Sequence, residues 1–422
     1  MSNVIELTSY QSVGVAALVL LLGRLFTRRF PILHKYCIPA PVVGGFIFAV
    51  LNLIAHVSGI GSITFDTTFQ TFFMTVFYCT VGTTASFRQL KKGGRQVATF
   101  LILVIILCTM QNVVGISLAG VFGMDPRLGL AMGSIPLVGG HGTSGSFGPL
   151  LENMGINGAT TVAIASATFG LVAGSVMGGP LAGARIRRLG SKTSIFTEVA
   201  YAEDIESVAE EEDNDEISVL SYAAAVEALE EARRKSINQE RFLNAAMFLA
   251  VAIGAGTLVY NFFIDHGITF PTYIGAMLLA CLMRNISDMK KLEAPLEEID
   301  AIGHLSLNLY LALALMGLRL WELADLAVPM IVILLAECAA LAIFAYFIVF
   351  NFMGRDYEAS CFVTATCGFG MGATANAMAN ISAVNKKHGP SPKALFIVPL
   401  VGALFIDFCN SLIITGFLNG MM

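Results

Sequence analysis

Apolar and polar positions divide the chain into ten long apolar windows and two that are interrupted. Windows close to the roughly 20 residues that span a bilayer lie near 12–29, 39–57, 69–87, 96–123 and 158–182. They resume, after a polar stretch, near 242–263, 270–284, 302–321, 326–353 and 394–418. Between the fourth and fifth windows of each half lies an apolar segment broken by glycines. One is 128–151, around Gly139-Gly140-His141-Gly142-Thr143-Ser144-Gly145, and the other is 357–382, around Gly368-Phe369-Gly370-Met371-Gly372-Ala373-Thr374. Glycine favours non-helical backbone, which is tolerated at membrane depth only where it is buried in protein or lines a polar cavity. Two such breaks at corresponding places in two halves point to a secondary transporter.

Composition agrees. Of 422 residues, 56% are hydrophobic and 13% charged, and the mean hydropathy is +0.74. This excludes a single soluble core and predicts an all-α polytopic membrane protein. The net charge of −5 hides an asymmetry, because thirteen of the thirty acidic residues lie between Glu198 and Glu231, a run without Lys or Arg. The remainder holds 17 acidic against 25 basic residues, clustered in short loops; they report orientation, and no nucleic-acid partner is implied. The expected domains are a membrane half over 1–190, an acidic cytoplasmic linker over 191–241 and a second membrane half over 242–422. The eight cysteines include no CxxC pair and no metal spacing, so Cys79, Cys108, Cys338 and Cys409 are read as small membrane-buried side chains.

Landmarks recur between the halves. Pro41 and Gly45 pair with Pro271 and Gly275, Asp125 with Asp356, and Gly140 and Gly142 with Gly370 and Gly372, all 230 or 231 positions apart. Positive loops stay cytoplasmic, so Arg24, Arg28, Arg29 and Lys35 place the first loop inside, as Arg88 and Arg95 do the third and Arg185, Arg187 and Arg188 the connector. A full crossing by 128–151 would put that last cluster on the wrong side, so the segment must enter and return. Arg355 before 357–382 and Lys386, Lys387 and Lys393 after it imply the same for the second break. The expectation is two inverted repeats of five transmembrane helices, each with a re-entrant hairpin, and both termini outside.

Each hairpin offers free backbone N–H groups at a helix start, which attract anions. Freed carbonyls and hydroxyls suit a small hard cation. The candidates for the substrate are Gly140, His141, Gly142, Thr143, Ser144, Gly370, Gly372, Thr374 and Asn376; those for Na+ are Asp407, Gly139, Gly368, Thr143 and Asn410. Asp407 is the clearest acid inside a span, where a carboxylate costs about 2.5 to 3.5 kcal/mol on insertion scales, and the competing reading makes it a structural partner of Asn410. Glu337 lacks a counterpart in the other half, Gln111 and Asn112 read as packing glue between helices, and Arg319 beside Trp321 reads as an interfacial anchor. Gly140 to Gly145 satisfies G-x-G-x-x-G without any βαβ context, and Gly142-Thr143-Ser144-Gly145 fits the short G-x-S-G of intramembrane serine proteases. Neither carries an enzymatic reading against the repeated hairpin; the expectation is no enzyme.

With these residues in view, the chain closely resembles the bacterial glutamate:sodium symporter family. The match runs through the segment Ile38 to Gly45, the first tip Gly139 to Thr143, Ala314 to Leu323, Cys367 to Thr374 and Val398 to Asp407. The resemblance implies Na+-coupled import of L-glutamate across a bacterial inner membrane, and a homodimer working by an elevator-like motion. Na+-coupled di- or tricarboxylate transport on the same architecture stays open. The chain departs from the family pattern in Ser144 to Pro149 and in its long acidic connector.

Overall fold

The computed structural model describes residues 4–35, 38–59, 61–88, 94–189, 239–266, 271–292, 294–321 and 326–421. Apart from Gln239, Glu240 and Arg241, which open a helix, the acidic linker lies outside the described residues. The chain is helical. The helices are α1 Ser9–Arg29, α2 Pro31–Lys35, α3 Ala40–Val57, α4 Thr68–Thr84 and α5 Gly94–Val121. A 3-10 turn, Pro126–Met132, leads to α6 Ser134–Leu137, α7 Gly140–Asn153 and α8 Ala159–Leu189. Then follow α9 Gln239–Asp265, α10 Tyr273–Met289, α11 Leu296–Met316, α12 Ala327–Phe352, α13 Tyr357–Gly370 and α14 Thr374–His388. The chain closes with α15 Pro392–Leu404 and α16 Ile406–Gly420.

Among the described residues seven helices (α1, α3, α5, α8, α9, α11 and α12) are long and apolar enough to cross a membrane, and the bent pair α15–α16 makes an eighth if it is one span. Expected windows 69–87 and 270–284 form α4 and α10, of 17 residues each. Outward-facing apolar side chains such as Leu18, Leu21 and Leu25 on α1 and Val251, Leu258 and Phe262 on α9 are exposed, the pattern of helices whose solvent is lipid.

Three departures from the expected elements have local causes. Residues 4–7 and 62–65 add a short parallel strand pair, β1 Val4–Leu7 and β2 Ser62–Phe65, in register Val4 with Ser62 through Leu7 with Phe65. These β-prone stretches flank helices and satisfy their main-chain groups on each other. Helix α8 runs past the expected end at 182 to Leu189, because Arg185 finds a partner in the protein. A π-helical turn at Phe344–Val349 in α12 re-aims the Tyr346 carbonyl. Arg185 Nε donates to it at 2.9 Å, and the guanidinium lies 3.8 Å over the Tyr346 ring. The third departure matters most: the expected single span 394–418 is bent by 48° between α15 and α16, downstream of Pro399 inside α15.

The helices pack as two bundles. Helices α1, α3, α4, α9, α10 and α11 pack on one another, and α5 to α8 pack with α12 to α16. Each bundle therefore takes elements from both ends of the chain. They meet where α7 lies on α11 and where α15 and α16 touch α4.

Candidate functional site

The candidate residues gather in the second bundle, where α5, α8 and α16 hold the two glycine-broken segments. In the first segment the chain breaks at Gly133, makes the single turn α6, and breaks again at Gly139 before α7. Gly140 opens α7 with φ of +60°, a left-handed conformation that costs a side-chain-bearing residue about 1–2 kcal/mol. A Cβ at Gly140 would stand 3.3 Å from the Gly372 carbonyl oxygen. The two glycine tips, with Gly140 and Gly372 232 positions apart in sequence, thus abut.

Carboxamides hold the breaks in place. Asn112 Oδ1 accepts from the Ser134 N–H at 3.0 Å, Asn410 Nδ2 donates to the Ser134 carbonyl at 2.9 Å, and Gln111 Nε2 donates to the Gly370 carbonyl at 2.7 Å. Gln111 and Asn112 are the expected glue, but what they bind is main chain freed at the breaks. On α8, Gly170, Gly174 and Gly178 recur every turn and admit the second segment closely. A Cβ at Gly170 would meet the Met371 carbonyl at 2.4 Å, and one at Gly178 would meet Asn380 Nδ2 at 2.4 Å. That approach lets Asn376 Nδ2 donate to the Leu171 carbonyl at 2.9 Å and Asn380 Nδ2 to that of Gly174 at 3.0 Å.

These contacts leave one end of four of the five amides without a partner among the described residues. Gln111 Oε1, Asn376 Oδ1 and Asn410 Oδ1 are buried acceptors with no hydrogen bond among the described residues, and the Asn112 Nδ2 donor and the Ser134 hydroxyl are likewise without one. An unsatisfied buried polar atom costs about 1–3 kcal/mol, and oxygens of this kind are the ligands a hard cation takes. The α15–α16 break puts Asp407 in the first turn of α16, a helix end that favours a carboxylate. Asp407 is half-buried and makes no hydrogen bond or ion pair through its side chain among the described residues. It lies one turn before Asn410 on α16.

The other expected residues fall as follows. His141 is buried with Nε2 3.0 Å from Thr168 Oγ1. Thr143 Oγ1 accepts from the Tyr78 hydroxyl at 3.1 Å. Ser144 Oγ donates to the Gly140 carbonyl at 2.7 Å and approaches that of Ala163 at 3.2 Å, so it faces main-chain acceptors and no base. The carbonyls of Gly139 and Gly368 accept from the N–H groups of Thr143 and Ala373, each at 3.2 Å. Thr374 starts α14 against Gly402 of α15, where a Cβ would meet its Oγ1 at 2.8 Å. Arg319 is exposed beyond α11, and Trp321 stacks on His56 at 4.2 Å, away from the breaks. Glu337 is fully buried in α12 with neither carboxyl oxygen bonded.

Sequence reasoning missed three tyrosines of the first bundle. Tyr310 on α11 donates to the Gly142 carbonyl. Tyr78 on α4 also approaches Ser146 Oγ at 3.3 Å, and Tyr273 on α10 stacks on Tyr78 at 3.8 Å. The available signal was a phenol inside an apolar span, whose hydroxyl needs a partner.

The sequence matches the profile of the family described as sodium/glutamate symporter over residues 5–390. The chain belongs to the sodium/glutamate symporter family. Within it, the chain is 36% identical to the sodium/glutamate symporter of Haemophilus influenzae over 407 residues, covering 96% of this chain and 95% of that one. It is 35% identical to the sodium/glutamate symporter of Escherichia coli over 411 residues, 97% of each chain. Membership agrees with the expected family and with a multi-pass transporter; it leaves the protease and nucleotide-site motifs at the first tip as coincidences of a glycine-rich turn.

Proposed function

We propose that this chain imports L-glutamate together with Na+ across a bacterial inner membrane, with the abutting glycine tips as its binding centre. The observation that carries the reading is the meeting of Gly140 and Gly372 beside bonded carboxamides whose remaining oxygens are unpartnered. Na+ binds first to oxygens drawn from Asn410, Asn376 and the Asp407 carboxylate, with the Gly139, Gly368 and Thr143 oxygens as further ligands. Glutamate then docks with its carboxylates on main-chain N–H groups at the starts of α7 and α14, near His141, Gly142, Ser144, Gly370, Gly372 and Thr374. Each net positive charge carried inward gains about 2.3 kcal/mol per 100 mV, so more than one Na+ per glutamate makes uptake voltage-driven.

In this reading α5 to α8 and α12 to α16 carry the site, α4 and α10 are spans, and the broken segments are re-entrant hairpins of two inverted repeats. Both termini lie outside and the acidic linker inside. The site-bearing bundle moves against the other in an elevator-like step, in a homodimer. The test is uptake by purified protein in proteoliposomes, with a competition panel of glutamate, malate and citrate measured with and without a Na+ gradient. Glutamate accumulation that requires the gradient is expected. Stronger competition by malate or citrate would move the assignment to di- or tricarboxylates, and absence of gradient-driven uptake would sink it.

A further inference from the structure

Among the described residues, two tyrosine side chains of the first bundle reach main chain and hydroxyls of α7. Tyr310 of α11 donates its phenol to the Gly142 carbonyl. Gly145 leaves room for that ring: a Cβ there would meet the Tyr310 hydroxyl at 2.6 Å. Tyr78 of α4 donates to Thr143 Oγ1 at 3.1 Å and lies 3.3 Å from Ser146 Oγ. All three partner groups fall within the first two turns of α7, the helix that begins at the Gly140–Gly372 contact. Tyr273 of α10 stacks on Tyr78 at 3.8 Å and meets Phe147 of α7 edge-on at 6.2 Å. Its own hydroxyl is buried without a hydrogen-bond partner.

We infer that the Tyr78 and Tyr310 hydroxyls form a latch that holds the first broken segment against the other bundle in this conformation, and that its release is a step of the transport cycle. Both phenols come from the bundle that does not carry the candidate site, so any sliding of one bundle on the other must break their bonds. A phenol suits the task, since its ring stays packed in the apolar seam while its single hydroxyl exchanges partners. None of these residues needs to touch glutamate or Na+; they are positioning residues. The inference rests on the transport reading only in its second part.

Tyr78→Phe, Tyr310→Phe and the double variant keep the rings and remove the hydroxyls. Amide hydrogen exchange on the purified full chain, without glutamate, is expected to speed up about fivefold per hydroxyl over residues 140–147, from the free energy of one ordinary hydrogen bond. In proteoliposomes at saturating Na+, glutamate exchange is expected to rise by a similar factor in each single variant and by the product in the double. Wild-type protection of 140–147 in the double variant would overturn the latch. Lost protection spread equally over α1 and α9 would mark general loosening and overturn it too. Lost protection confined to 140–147, with an unchanged exchange rate, would overturn the claim that release belongs to the cycle while leaving the glutamate assignment, tested by competition, untouched.

Discussion

Gly140 is where a single methyl group tests the arrangement of the two tips. Its φ is +60°, so an L side chain there adds about 1–2 kcal/mol of backbone strain. The Cβ of Gly140→Ala would also stand 3.3 Å from the Gly372 carbonyl oxygen, close enough to push the tips apart by a few tenths of an ångström. If that strain falls on a conformation the cycle must visit, 1–2 kcal/mol slows uptake roughly 5- to 30-fold. Gly140→Val adds two γ-methyls at a left-handed position, which β-branched residues tolerate least, and is expected to abolish uptake. Neither change introduces a charge or interrupts a long apolar helix, so both variants should insert and purify normally. The comparison is Gly254→Ala on α9, where a Cβ meets nothing within 4 Å and uptake should be unchanged. The assay is initial Na+-driven glutamate uptake per mole of reconstituted protein, with the melting temperature in detergent as the check on folding. Wild-type uptake by Gly140→Val would refute the argument that the tips meet at this residue in the working protein.

Three further outcomes follow from the same geometry. Asp407→Asn removes the charge of a carboxylate that has no partner among the described residues, so it should cost little stability yet raise the half-saturating Na+ concentration more than tenfold; an unchanged sodium curve would take Asp407 out of the ion site. Asn410→Ala removes the bond to the Ser134 carbonyl, worth about 1 kcal/mol, together with an unpartnered oxygen; its sodium curve should shift further than that of Gln111→Ala, and an equal shift would mean that both act only on packing. Outside the spans, the Arg127 hydrogen bond holds the Asp125 carboxyl below its ordinary range. A depressed folded-state value contributes stability above the unfolded pKa of about 3.9, lost as pH falls through the folded one. The pair is partly exposed, with side chains 27% and 35% accessible, so Arg127→Ala should cost less than about 1 kcal/mol at pH 7 and nothing once Asp125 is protonated. Thermal melts at pH 7 and pH 2.5 compare the two.

Period, length and glycine placement sufficed to find the long apolar helices and both broken segments, because a bilayer admits few backbone solutions and each leaves a compositional trace. The carboxylate Asp407 stood out for the same reason: a charged group is rare in so apolar a stretch. Folding in three dimensions decided what sequence order conceals. Gly140 abuts Gly372, Gln111 of α5 binds the Gly370 carbonyl, and the glycines of α8 admit Asn376 and Asn380, and each of these joins residues with no periodic relation along the chain. The bend between α15 and α16 was hidden because its two parts together are as apolar as one span. Tyr78 and Tyr310 were hidden because a phenol in a span looks like any other aromatic until its hydroxyl is seen to have a partner. Hydropathy governs which segments leave water, but which freed carbonyl meets which side chain depends on the packing of helices distant in sequence.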